Sequence, residues 1–266
     1  VPDLFSLAGQ VAIVTGAGKG IGRASALALA QGGADVALAA RTSADIESVA
    51  GEVRALGRRA IVVPCDVNDE AALDNLVQRT VAELGKVTIL VNNAGGAGPN
   101  DPRRMSGKDF SAALVWNVAP AYLLIQKCAK PMREAGGGSM INISSIEGLA
   151  GTAMTHGYTA AKFGVRGITK SAALELGQWG IRVNSIHPGL IRTPMVQGVP
   201  EDIFQTALGR AAEPIEVSNL VVYLASDESS YSTGSEFVVD GGCVAGLGHK
   251  DFGAITDGMD GEWSAP

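Results

Sequence analysis

Short runs rich in Val and Ile alternate with amphipathic helical patterns along almost the whole chain, and few architectures tolerate that order. Strands are expected over Val11–Thr15, Asp35–Arg41, Ala60–Val67, Val87–Asn93, Ser139–Ser145, Ile181–His187 and Glu236–Asp240. Between them run helical patterns such as "IGRASALALAQGG", "SADIESVAGEVRALG" and "NDEAALDNLVQRTVAELG", the last with Asn68 as a candidate N-cap. Strands separated by helices of this length imply right-handed βαβ units and a parallel sheet covered on both faces. A chain of 266 residues suits one large α/β domain of this kind. We read a single domain over residues 1–245 and a tail over 246–266, where the pattern is lost. The tail is expected to be disordered or to dock Phe252 and Trp263 on a neighbouring subunit.

The remaining totals exclude several classes of protein. A net charge of −6 argues against a nucleic-acid binder and against attraction to an anionic membrane surface. Cys65, Cys128 and Cys243 form no CxxC and no pairing pattern, so reduced thiols in the cytoplasm are expected. His156, His187 and His249 lie too far apart for a metal-ligand spacing. There is neither a long apolar stretch for a membrane span nor a visible signal peptide, although the chain starts at Val1 rather than Met.

The first expected strand runs directly into "GAGKGIG" and then into a helix. Gly16, Gly20 and Gly22 there permit a tight turn and bring backbone N–H groups and the positive helix end close to a pyrophosphate. The end of the second strand reports on the ribose. An NAD enzyme tends to place Asp or Glu about 20 residues beyond the glycines, to accept hydrogen bonds from the 2′-hydroxyl. This chain reads "ALAARTS", with Arg41 followed by the hydroxyls of Thr42 and Ser43. Asp35 is too early and reads as a turn residue. A guanidinium binds a 2′-phosphate through charge-assisted hydrogen bonds, and Lys19 in the glycine loop offers a second cation. At roughly 1.5–3 kcal/mol per bond, the pair supplies a preference of about a hundredfold or more. NADP(H) is the expected cofactor, with NAD(H) as the alternative.

In "GYTAAKFGV", residues 157–165, Tyr158 and Lys162 stand close to one helical turn apart and so share a face. Alone, that spacing means only ordinary helix packing. Together with "TGAGKGIG", "NNAG" at 92–95, Asn117 in "WNVAP", "INISS" ending at Ser145, and "HPGLIRTP" at 187–194, it resembles the short-chain dehydrogenase/reductase family. The resemblance runs from Leu7 to Gly242 and implies a Rossmann-type α/β fold, a doubly wound seven-stranded parallel sheet with helices on both faces.

It further implies that Tyr158 is the general acid/base and that Ser145 hydrogen-bonds the substrate oxygen. Lys162 would hold the nicotinamide ribose and lower the tyrosine's pKa, and Asn117 would hold a water that relays protons from Lys162. Ser144 competes with Ser145, but strand alternation turns neighbours to opposite faces and the thirteen-residue spacing to Tyr158 favours Ser145. The cofactor would be held by Gly16, Lys19, Gly20, Ile21 and Gly22, by Arg41, and by Asp66 and Val67 at the adenine. Asn93, Ala94 and Gly95 would lie at the adenine ribose, and Pro188, Gly189, Ile191 and Thr193 at the nicotinamide carboxamide. An ammonium about 4 Å from the phenol at an effective dielectric of about 20 supplies the ~4 kcal/mol needed to bring its pKa from ~10 toward neutrality. Asp66 could equally be a loop cap; His187 is expected to fix the turn before Pro188, and His156 reads as a surface histidine or a substrate contact.

Substrate choice is expected in "GGAGPNDPRRM", "IEGLAGTAMTH" and "LIRTPMVQGVPEDIFQTALG". Ala153, Met154, Val196, Val199 and Phe204 give apolar walls there and Glu147 a charge near the mouth, which suits a hydrophobic ketone or secondary alcohol. The central motifs look most like bacterial 3α/20β-hydroxysteroid dehydrogenases, whereas the glycine loop looks equally like 3-oxoacyl-carrier-protein reductases. For the latter, Arg103, Arg104, Lys108 and Arg192 are candidate contacts for the acidic acyl carrier protein. A non-enzymatic NADP(H) sensor is a third reading, although such proteins usually lose the tyrosine or lysine. The family usually forms homotetramers, and the helix around 106–130 is apolar on more than one side.

Overall fold

The computed structural model describes residues 4–96 and 105–246. Seven parallel strands form one sheet in the order β3-β2-β1-β4-β5-β6-β7. They are β1 (Val11–Thr15), β2 (Asp35–Ala40), β3 (Ala60–Pro64), β4 (Ile89–Asn92), β5 (Gly138–Ile143), β6 (Ile181–Pro188) and β7 (Glu236–Val239). The helices between them are α1 (Gly20–Gln31), α2 (Ser43–Ala55), α3 (Glu70–Leu84), α4 (Gly107–Glu134), α5 (His156–Leu176) and α6 (Pro214–Ala225). All seven expected strands are present, and the expected bounds err mainly where a strand was drawn too long. β3 stops at Pro64 because its pairing with β2 ends there, opposite Ala40.

Alternation along the strands builds two cores. Ala12 and Val14 of β1 and Val36 and Leu38 of β2 face α1, α2 and α6, meeting Leu29, Ile46, Val49, Val217 and Val221. Val11, Ile13, Ala37 and Ala39 face the other way, toward Leu73 of α3, Leu124 and Cys128 of α4 and Leu176 of α5. Because successive side chains of a strand point to opposite faces, a buried two-sided strand must be apolar throughout, as "VAIVT" and "DVALAA" nearly are. The strand order reverses between β1 and β4, and the crevice beyond their C-terminal ends is where such sheets bind ligands.

Three sequence expectations need correction. The N-cap of α3 is Asp69, whose side chain accepts from Ala71 N; Asn68 instead donates from its own side chain to Asp66. Asp35 is no turn residue: it opens β2, buried, with its carboxylate 2.9 Å from an Arg58 nitrogen and 2.8 Å from Arg59 Nε. Burial pushes that carboxyl up, and the bonds and charges of the two arginines more than offset it, so its pKa lies below the usual value. Glu147 does not stand at a pocket mouth either. It is buried in a 3-10 turn, Ile146–Gly148, with one carboxylate oxygen accepting from the hydroxyls of Thr155 and Thr159. The tail from 247 onward and the expected substrate-loop residues Arg103 and Arg104 lie outside the described residues.

Candidate active site

A groove of about 340 Å³ opens beyond the C-terminal ends of β1, β2 and β4. Its lining includes Gly16, Lys19, Gly20 and Ile21 from the glycine loop, Arg41 and Thr42 after β2, and Asp66 and Val67 after β3. Asn93, Ala94 and Gly95 follow β4 into the same wall, and Thr193 comes from the loop after β6. Helix α1 begins at Gly20 with no acidic side chain in its first turn, so its positive end faces the groove uncompensated. Two glycines are required here. Gly20 has φ +55, and a Cβ on it would lie 3.0 Å from Thr193 Cγ2. A Cβ on Gly22 would collide with the Gly16 carbonyl oxygen. Asn93 locks the floor by donating to Thr15 O at 2.9 Å, while Thr15 Oγ1 accepts from the N–H groups of Asn93 and Ala94, each at 3.0 Å. A cradle that side chains would fill, set on an open helix N-terminus, fits the pyrophosphate of a dinucleotide.

At the end of the groove beyond β2, Arg41 is exposed and lies near Asp66. Asp66 caps its own loop, accepting from Asn68 N at 3.0 Å and from the Asn68 side chain at 2.9 Å; those bonds, with a smaller contribution from Arg41, hold its carboxyl below the usual range. Lys19 is not free: its ammonium sits 3.0 Å from a carboxylate oxygen of Asp45, in the first turn of α2, and Asp45 lines the groove. Sequence reading missed Asp45, which meets Lys19 only through the packing of α2 beside the glycine loop.

The groove ends at Gly95 and Trp116, where the remaining polar side chains converge. A Cβ on Gly95 would lie 2.7 Å from Asn117 Oδ1 and 3.9 Å from Lys162 Nζ. Asn117 uses its amide on backbone: Oδ1 accepts from Gly96 N at 2.9 Å, and Nδ2 donates to Gly96 O at 3.1 Å and to Ala113 O at 3.0 Å. This clamps the chain after β4 to α4. Lys162 is buried, donates to Ile143 O at 2.9 Å, and stands 5.3 Å over the centre of the Tyr158 ring. Ser145 follows β5 and hydrogen-bonds Tyr158, and its Oγ also accepts from Glu147 N at 3.1 Å. Ser144 turns the other way and donates to Lys162 O at 3.1 Å, pinning the backbone of α5.

The expected depression of the tyrosine's pKa is not what the structure shows. Desolvation pushes the Tyr158 phenol up to about 12, the Glu147 carboxylate adds to the rise, and only the Ser145 hydrogen bond opposes it. Lys162 is itself pushed down, to about 8, by desolvation, with Glu147 opposing. Its hydrogen bond goes to the Ile143 carbonyl.

Of the residues expected at the carboxamide, Thr193 lines the groove; Pro188 pairs with Val239, Gly189 packs against Asp240, and Ile191 is buried in a bridge to Ala212. Val196 and Val199 line a separate cleft of about 400 Å³ behind the loop after β6. Arg192 is held within that loop, with two nitrogens on Glu201 at 2.6 and 2.7 Å and a third 2.7 Å from Glu213. His156 is the exposed first residue of α5. His187 does more than shape a turn. It is fully buried, its Nδ1 lies 2.9 Å from the Ser145 carbonyl oxygen, and its Nε2 lies 2.9 Å from Ser185 Oγ.

Residues 16–244 match the family described as enoyl-(acyl carrier protein) reductase. The chain is 54% identical over 257 residues to a 3-alpha-(or 20-beta)-hydroxysteroid dehydrogenase of Mycobacterium tuberculosis, covering 97% of this chain and 98% of that one. It is 37% identical to the 3-oxoacyl-[acyl-carrier-protein] reductase FabG of Thermotoga maritima, with 90% and 99% covered. Among solved structures, a short-chain type dehydrogenase/reductase from Mycobacterium marinum superposes with a TM-score of 0.88 at 37% identity, covering 92% of this chain and 99% of that one. A 7α-hydroxysteroid dehydrogenase complexed with NADH and 7-oxo glycochenodeoxycholic acid gives 0.88 at 34%, with 93% and 99% covered. Sheet order, glycine cradle and these likenesses agree, and the chain belongs to the short-chain dehydrogenase/reductase family, oxidoreductases that act on CH–OH groups with a nicotinamide cofactor.

Proposed function

We propose that this protein interconverts a ketone and a secondary alcohol on a hydrophobic, hydroxysteroid-like substrate, with NADP(H) as cofactor and Tyr158 as general acid/base. The observation that carries the reading is the meeting of Ser145, Tyr158 and Lys162 beside the end of a dinucleotide groove whose ribose end presents Arg41. Gly16, Gly20, Ile21 and Gly22 would hold the pyrophosphate, and Arg41 and Lys19 a 2′-phosphate. A nicotinamide bound in this groove would supply or accept the hydride.

The chain's own residues handle the proton and the substrate. Ser145 Oγ, placed at the end of β5, donates a hydrogen bond to the substrate oxygen and orients it toward Tyr158. A phenol near pKa 12 is fully protonated at neutral pH, so Tyr158 gives its proton to the developing alkoxide in the reducing direction. General acid catalysis of this type is worth roughly 10²–10⁴ in rate. Lys162 at about 8 holds the cofactor ribose by hydrogen bonding and restores the proton that Tyr158 gives up. Asn117 fixes the chain after β4 by its bonds to both backbone groups of Gly96.

Two features bear on the alternatives. A role in reducing acyl-carrier-protein thioesters needs free cations beside the pocket, and Arg192 is occupied by Glu201 and Glu213. The Lys19–Asp45 pair weakens one of the two expected phosphate contacts and keeps NAD(H) as the second cofactor reading. A sensor without turnover has no need of Tyr158 and Lys162 together. We also infer a homotetramer, because Val115 and Tyr122 on α4 and Phe163 on α5 are 58, 52 and 40% exposed; sedimentation that gives a monomer at micromolar concentration contradicts it. The function is tested by following NADPH and NADH oxidation with steroid ketones and 3-oxoacyl thioesters. Faster turnover of the steroid ketones with NADPH is expected. NADPH binding with no oxidation across the panel contradicts the reading.

A further inference from the structure

Glu147 joins the two segments that carry Ser145 and Tyr158. It is buried in the turn after β5, and taking a carboxylate out of water is costly unless donors meet it. Two do. One of its oxygens accepts from the hydroxyl of Thr155 and, at 2.9 Å, from that of Thr159. Thr155 is the N-cap of α5 and Thr159 lies in its first turn, with Tyr158 between them. Thr155 makes no side-chain capping bond to the helix, because its hydroxyl is given to Glu147 instead. The backbone of Glu147 is equally committed. Its N–H donates to Ser145 Oγ at 3.1 Å, which occupies a lone pair of that hydroxyl and leaves its proton for the Tyr158 oxygen or for substrate. Further along α5, Ser144 Oγ donates to the Lys162 carbonyl at 3.1 Å. The two segments fit tightly there, since a Cβ on Gly148 would lie 2.6 Å from Ser144 Oγ and 2.9 Å from Lys162 O. The turn after β5 is thus fastened to α5 both before and after Tyr158.

We infer that Glu147 is a positioning residue for the proton transfer: its carboxylate holds the first turn of α5, and with it Tyr158, against the Ser145 hydroxyl that its own N–H orients. This rests on the reading of Tyr158 as general acid/base. It adds a residue that touches neither substrate nor cofactor and acts through both hydroxyls of the site. Proton transfer needs its partners within hydrogen-bond reach, and a small misplacement of the donor is costly in rate. Because one oxygen accepts both threonine hydroxyls, the amide oxygen of a glutamine can take the same two bonds. The position therefore requires an acceptor of this length, with or without the charge.

The test is reduction of a steroid ketone by NADPH at pH 7 in the wild type, Glu147→Gln, Glu147→Ala and Thr159→Val, with thermal unfolding of each variant to report on folding. Glu147→Ala should lower kcat about tenfold or more and leave KM for NADPH nearly unchanged. Glu147→Gln should keep kcat within about threefold of the wild type. Thr159→Val, which preserves side-chain size and removes one donor, should cost about threefold, and it carries the test if Glu147→Ala fails to fold. A residue that acts through the phenol has nothing left to act on without it. Adding Glu147→Ala to Tyr158→Phe should therefore slow the residual rate by less than about twofold. Wild-type kcat in Glu147→Ala or Thr159→Val, equal losses in Glu147→Gln and Glu147→Ala, or an undiminished loss in the Tyr158→Phe background each overturns the inference. Failure of the catalytic reading shows separately, as Tyr158→Phe alone turning over at the wild-type rate.

Discussion

Lys162 and Tyr158 stand face to face, with Nζ 5.3 Å from the centre of the phenol ring and hydrogen-bonded to the Ile143 carbonyl. The amine is thus carried into the protein by α5 without a carboxylate partner, and desolvation lowers its pKa from 10.5 to about 8. A cationic group with a depressed folded-state pKa binds fewer protons folded than unfolded, so its destabilising effect is full below pH 8 and fades as pH rises toward 10.5. The gap between 10.5 and about 8 corresponds to roughly 3 kcal/mol as an upper bound. Lys162→Met should therefore raise the unfolding temperature at pH 7 and lose its advantage by pH 10, as read by thermal melts across that range.

The two directions of reaction should respond oppositely to pH. A phenol pushed up to about 12 is the correct form for donating a proton throughout the neutral range and the wrong form for accepting one. Ketone reduction should be nearly flat from pH 6 to 8, whereas alcohol oxidation should climb with pH; a bell centred near pH 7 for oxidation would contradict the assignment.

Asp45 should set how strongly the 2′-phosphate is preferred. Its carboxylate holds Lys19 at 3.0 Å, and the pair is partly exposed, so the interaction is modest. Asp45→Asn should tighten NADPH binding severalfold and leave NADH nearly unchanged. Arg41→Asp should reverse the preference. The check is titration of both cofactors by fluorescence, and an unchanged NADPH/NADH ratio in both variants would remove the basis for NADP(H).

His187 should act through Ser145. A carbonyl only accepts, so Nδ1 carries the proton toward Ser145 O, and Nε2 accepts from Ser185 Oγ. Burial lowers the pKa of the ring and keeps it in this neutral form. Loss of one such bond, at about 1 kcal/mol, should cost about fivefold in rate. His187→Leu is expected to lower kcat with little effect on KM for NADPH, and His187→Asn, whose amide can still donate to the carbonyl, to restore part of it. Equal loss in both variants would point to packing alone.

What could be read from the sequence follows from the range of the interactions involved. The strand alternation, the Gly16–Gly22 cradle and the Tyr158–Lys162 spacing are local patterns, so they were legible without coordinates. Apart from the N-cap of α3, where Asp69 rather than its neighbour Asn68 takes the role, the corrections involve partners that folding brings together. Asp35 meets Arg58 and Arg59 only because β2 and β3 pair. Lys19 meets Asp45 only because α2 packs beside the glycine loop, and Arg192 loses its freedom to Glu201 and Glu213 across a folded loop. Glu147 changes from a mouth charge to a buried acceptor because α5 sets Thr155 and Thr159 against it. The sign of the tyrosine's shift was missed for the same reason: a pairwise distance argument contains no desolvation.

The central claim is that Tyr158 passes the proton in a nicotinamide-linked ketone reduction. Single-turnover hydride transfer from saturating NADPH to a steroid ketone, in the wild type and Tyr158→Phe, tests it most directly. The variant keeps the ring over which Lys162 sits and removes only the hydroxyl. Hydride transfer at least a hundredfold slower, with NADPH affinity within threefold of the wild type, is the expected result. Tyr158→Phe turning over at the wild-type rate would contradict the account.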